Sequence, residues 1–134
     1  MQLPTGATVA VADGARFNLF RNAGDEAELK LTPLAHDAVD ADHLGATPGR
    51  HGSSANPDGG QDEEDGFSAG VIDLLNKKVL SGQVSALLII ASPRTLGAIR
   101  PQYHPQLAAI LVGEIAKDLT GHATPDLEKA IAAA

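Results

Sequence analysis

Ala86-Leu87-Leu88-Ile89-Ile90-Ala91 is six apolar residues in a row, and Ser92-Pro93 follows at once. No feature of the chain constrains its fold more. A strand with one wet face alternates apolar and polar; an unbroken apolar run suits a strand covered on both faces. Ser92 is a natural N-cap and Pro93 a natural first helical residue, so the strand passes straight into a helix. A strand buried on both sides and followed by a helix belongs to an α/β layer structure.

The rest of the chain is read around that strand. Thr8-Val9-Ala10-Val11-Ala12 is a short apolar run, Asp13-Gly14 is a hairpin signal, and Phe17-Asn18-Leu19-Phe20 continues as a second strand. Asn22-Ala23-Gly24-Asp25 is a turn. Glu28-Leu29-Lys30-Leu31-Thr32 alternates as a third strand, and Pro33 ends it or puts it at a sheet edge. Strand-to-strand homodimerisation is possible at such an edge. Phe67, Val71, Leu74, Leu75 and Val79 recur at helical spacing, which predicts a helix over 62–81 closed by Gly82. After the central strand, a short helix is expected to about Arg100. A second is expected from Pro105, carrying Leu107, Ile110, Leu111, Ile115 and Leu119 on one stripe to Gly121. A last helix starts at Thr124-Pro125-Asp126. The expected fold is a single α/β domain over 1–134: a mixed sheet with an N-terminal antiparallel meander and a central buried strand. With 134 residues there is length for one domain.

Charge separates the two halves. Residues 1–67 hold twelve acids and four bases, and residues 68–134 five acids and six bases, within a net charge of −7. The acidity gathers in a Gly-rich stretch at about 35–62, a loop too poor in aliphatics to offset its ordering entropy and expected to be flexible. An acidic chain without a basic stripe argues against general DNA binding. With no cysteine, disulfide frameworks, zinc ribbons and thiol catalysis are excluded. No apolar run approaches the ~20 residues of a membrane span, and the N-terminus has no signal-peptide pattern. A cytoplasmic location is expected.

Leu88-Ile89-Ile90-Ala91-Ser92-Pro93-Arg94-Thr95-Leu96-Gly97 resembles the strand and turn of the bacterial family called "required for attachment to host cells". His104-Pro105, Glu114 to Thr120, and Val11-Ala12-Asp13-Gly14-Ala15-Arg16 are similar to that family as well. The resemblance covers nearly the whole chain and is weakest across 35–58. More distantly, the order of elements resembles the middle domain of archaeal and eukaryotic class-1 translation release factors. Those carry Gly-Gly-Gln at the tip of a long loop before a long helix, and Gly59-Gly60-Gln61 stands in that place here.

These resemblances imply two functions. One is a binding or adaptor module of the host-attachment kind, with an unknown protein partner. The other is ribosome rescue, with the ribosome and tRNA as partners and peptidyl-tRNA hydrolysis through Gly59, Gly60 and Gln61. Glycines there permit close backbone approach, and a backbone N–H can stabilise the charge that develops in acyl transfer. The flanks oppose it: Asp58 precedes the motif, Asp62-Glu63-Glu64-Asp65 follows it, and 53–70 contains no base. Carboxylates are repelled by RNA phosphate.

Arg94 and Thr95, where the central strand meets a helix, are candidate ligand contacts, with Arg100 and His104 near them. His36, Asp37, Asp40, Asp42 and His43 contain metal-ligand types but read as a solvated face. His51, Ser53, Ser54 and Asp58 lack a nucleophile-elbow pattern. No metal or other cofactor is expected. Phe17 and Phe20 read as packing residues.

Overall fold

A computed structural model describes residues 3–13, 15–25, 27–35 and 59–134, and for 59–65 the backbone only. The metal-type cluster at 36–43 and the serine group at 51–58 lie outside the described residues. The elements are β1 (Thr8–Ala12), β2 (Phe17–Asn22), β3 (Leu31–Leu34), α1 (Gly59–Leu80), β4 (Leu87–Ala91), α2 (Pro93–Ile99), a 3₁₀ turn (Arg100–Gln102), α3 (Pro105–Ile110), β5 (Leu111–Ala116) and α4 (Thr124–Ala133). They build a five-stranded mixed sheet in the order β3-β2-β1-β4-β5. β1, β2 and β3 form an antiparallel meander, while β1, β4 and β5 are parallel. The α/β expectation holds, and β4 is an interior strand buried along its whole length.

The apolar run explains the layers. Leu87, Ile89 and Ala91 enter a core with Val71, Ile72 and Leu75 of α1, Leu96 and Ile99 of α2, and Leu107 of α3. Leu88 and Ile90 enter a second core with Leu127 and Ile131 of α4. Phe17 packs in the first core and Phe20 against the second, so the two lie on opposite faces.

One expectation fails. The stripe from Leu107 to Leu119 is not a continuous helix: α3 ends at Ile110 and the chain becomes β5. Without β5, β4 would have a hydrogen-bonding neighbour on one side only. The i, i+4 spacing of Leu111 and Ile115 also satisfies the two-residue period of a strand, so spacing alone could not decide. Gly113, a weak helix former, pairs with Leu88 beside an irregularity in the ladder, as glycines in strands often do.

Turns are held by side chains. Asn22 is fully buried; its Nδ2 donates to the carbonyls of Leu3, Pro4 and Asp25, and its Oδ1 accepts from the N–H groups of Gly24 and Lys30. The carboxylate of Asp13 closes the first hairpin by accepting the Ala15 and Arg16 N–H groups at 2.7 and 2.6 Å. At the end of α1, Gly82 takes φ +80. Its N–H donates to the Val79 carbonyl and that of Gln83 to the Lys78 carbonyl, the Schellman pattern. β3 is an edge strand, as Pro33 requires. The Leu31 N–H already donates to Glu128 Oε2 of α4 at 2.7 Å, and Pro33 has no N–H. The edge homodimer expected there therefore finds no donor at either position.

Candidate functional site

Three parallel strands end side by side. Ala12 of β1, Ala91 of β4 and Ala116 of β5 share one row of the register. The residues just beyond them, Asp13, Ser92 and Lys117, therefore form the crest of the sheet where ligands of α/β folds commonly bind. α1 runs antiparallel to β4, so its first residues, Gly59-Gly60-Gln61, lie toward the same end. At 22 residues α1 is about 33 Å long, roughly twice the length of a five-residue strand, so its head extends past the crest. The tripeptide is thus the first turn of the helix rather than a loop before it. N–H groups of a first turn have no acceptor within their own helix.

The crest is tied together across the chain. Thr120 is buried, and its hydroxyl lies 2.6 Å from Asp13 Oδ2 and 2.8 Å from Asp118 Oδ1. Arg16 closes on Asp13 Oδ2 at 3.2 Å. Burial pushes the Asp13 carboxyl up. Hydrogen bonds from Thr120, from the Ala15 and Arg16 N–H groups and from the Arg16 side chain outweigh it and hold the group below its ordinary value. Sequence reading did not single out this group. The signal was present: Val11–Arg16 and Glu114–Thr120 were separate stretches of one resemblance, and they meet here over a separation of 107 residues.

The four predicted contact residues do not converge. Arg94 is exposed at the start of α2. Thr95 is buried: its N–H donates to Ser92 Oγ at 3.3 Å, and its hydroxyl lies 2.9 Å from the same oxygen. It completes a helix cap. Arg100 stands six residues after Arg94, about 9 Å along the helix. Its guanidinium pairs with Glu114 Oε1 at 3.0 and 2.9 Å, and the Tyr103 hydroxyl donates to Glu114 Oε2. Burial raises the Glu114 carboxyl, but Arg100 and Tyr103 together hold it below its ordinary value. Burial, reinforced by the bond to Glu114, pushes the Tyr103 hydroxyl well up. His104 caps α3, its Nδ1 accepting the Gln106 N–H at 3.1 Å. Asn76 of α1 clamps this turn: it donates to the Gln102 carbonyl at 3.0 Å and accepts the His104 N–H at 3.1 Å. Arg100 and His104 thus brace α2, α3 and β5, while Arg94 stands at the crest. Among the described residues no group of three or more His, Cys, Asp or Glu is placed to hold a metal.

A family model, that of bacterial archaeo-eukaryotic release factor family 12, matches residues 6–131. The chain belongs to that family. The match spans all five strands and reaches into α4, and it includes the head of α1 that carries Gly59-Gly60-Gln61. No curated protein matches the chain. Among the described residues of this release-factor family member, no helix is long and apolar enough to cross a membrane.

Proposed function

We propose that this protein acts at the ribosome as a rescue factor, releasing peptide from peptidyl-tRNA with Gly59-Gly60-Gln61 as the reactive tip. One observation carries the reading: in a chain of a release-factor family, the tripeptide heads a long helix that extends past the sheet. In the reaction, water adds to the ester carbonyl and the acyl C–O bond to the ribose oxygen breaks. The proton passes to that oxygen, leaving free peptide and deacylated tRNA. Backbone N–H groups at the head of α1 are suited to the charge that develops on the carbonyl oxygen. The glycines let the backbone come close to the tRNA end.

The test is peptide release from stalled ribosomes. Wild type releases peptide, and Gln61→Ala and Gly60→Ala lose release while still co-sedimenting with ribosomes. Absence of release by the wild type overturns the reading.

A second reading is a binding or adaptor module of the host-attachment kind. The acidic flank, Asp58 and Asp62 to Asp65 without a base, favours it, because a basic protein surface suits that charge better than RNA does. Under this reading the exposed Arg94 is the contact residue. Arg94→Ala then lowers partner capture, and Gln61→Ala leaves it unchanged.

A further inference from the structure

At the opposite end of the sheet, where β1 and β4 begin, lies a cavity of about 410 Å³. Among the described residues, Thr8, Leu19, Arg21 and Leu34 of the sheet and Lys78 near the end of α1 line it. Its charge contrasts with the rest of an acidic chain. Among the described residues, Arg21 and Lys78 line it and no carboxylate does. Among the described residues Arg21 makes no ion pair, and Lys78 reaches only the side-chain oxygen of Gln83, at 3.4 Å.

The geometry points to a binding site for a small organic phosphate, a phosphomonoester with an apolar body. Thr8 and Arg21 face each other across the β1–β2 ladder and so share the face that α1 covers. Thr8 is only 5% exposed, yet its hydroxyl has no hydrogen-bond partner among the described residues, and no buried side-chain oxygen or nitrogen among them is left unpartnered. The hydroxyl must therefore open onto the cavity it lines. Ser85 adds its hydroxyl to the wall. The Thr5 hydroxyl, also in the wall, donates to the Gly24 carbonyl; two cations and the hydroxyls of Thr8 and Ser85 around one hollow match the acceptor oxygens of a phosphate.

Two further features suit the assignment. Gly6, at φ +84, brings the backbone close to the Arg21 guanidinium, within 3.6 Å of where its Cβ would stand. Leu19, Leu34 and Val84 supply an apolar wall beside the polar one. A volume in this range is that of small-molecule sites. The site is independent of the release reading, since it lies at the other pole of the domain.

The experiment is a titration of the intact ¹⁵N-labelled protein with phenyl phosphate, inorganic phosphate and benzyl alcohol, followed by amide shifts. Phenyl phosphate is expected to saturate, with shifts at residues 5–8, 19–21 and 83–85. Inorganic phosphate should bind the same residues more weakly, and benzyl alcohol should not saturate. Arg21→Gln and Lys78→Gln should each weaken phenyl phosphate about tenfold or more, with Arg21→Lys recovering part of the loss. Both cations reach solvent, so an unchanged melting temperature checks that the variants fold. Failure to saturate, shifts elsewhere, phenyl phosphate no tighter than inorganic phosphate, or undiminished affinity in both variants overturns the assignment.

Discussion

The hydroxyl of Thr120 can be removed with almost no change of shape, by Thr120→Val. It sits 2.6 Å from Asp13 Oδ2, and the Asp13 side chain is 15% exposed. The variant keeps the volume but strips a donor from a carboxylate that water reaches poorly. Hydrogen bonds to charged groups contribute about 1.5–3 kcal/mol. Arg16 and two backbone N–H groups remain on Asp13, which places the expected loss near the middle, about 2 kcal/mol. For a chain of this size that is a fall in melting temperature of roughly 7 °C. The sign of the pH dependence follows from the lowered Asp13 value. A carboxyl held below its unfolded value contributes stability above that unfolded value, near pH 4, and loses it as pH falls through the folded value. The gap between wild type and Thr120→Val should be full at pH 7 and narrow as the pH falls below about 4. Urea unfolding at pH 7, 5, 4 and 3 measures it. A gap under about 0.5 kcal/mol at pH 7, or one that stays constant to pH 3, refutes the argument.

Other perturbations follow from particular contacts. Asn22→Ala removes one fully buried side chain that serves five backbone groups, and should cost more than about 3 kcal/mol in urea unfolding. Gly82→Ala meets no neighbour within 4 Å but must hold φ +80, so a loss of about 1 kcal/mol is expected from the backbone alone. Gly97→Ala also meets nothing within 4 Å, yet lies in α2, and should gain about 0.5–1 kcal/mol. Restoring donors to β3 with Glu128→Ala and Pro33→Thr together should increase concentration-dependent dimerisation over wild type by size-exclusion chromatography.

What could be read beforehand follows one physical rule. Local signals resolved wherever one residue type had one use. The run Leu87–Ala91 gave β4, Ser92-Pro93 gave the cap of α2, and Gly82 gave the end of α1. Where a pattern served two periods, tertiary hydrogen bonding decided: β5 is a strand because β4 needed a second neighbour, a need that no local window contains. Two of the candidate contact residues meet the same limit. Thr95 and His104 carry binding-type side chains, but backbone N–H groups at helix starts take them up as caps. Asp13 and Thr120 stand in ordinary turns, and only the parallel register of β1, β4 and β5 brings them together.

The same register separates the molecule into two poles, and that separation can be tested. Asp13 and the head of α1 lie beyond the carboxyl ends of the strands; Thr8, Arg21 and Lys78 lie at the amino ends. From Thr8 to Asp13 the strand spans roughly 17 Å. Substitutions that far apart, with no shared partner, usually add within about 0.5 kcal/mol. Gln61→Ala should therefore leave phenyl phosphate affinity within about twofold of wild type, and Arg21→Gln should leave peptide release equally unaffected. A larger cross-effect in the folded variants would mean that α1, which has one end at each pole, transmits a change along its length. The rigid two-pole picture would then give way to a coupled one, with occupancy of the cavity acting on the position of Gly59-Gly60-Gln61.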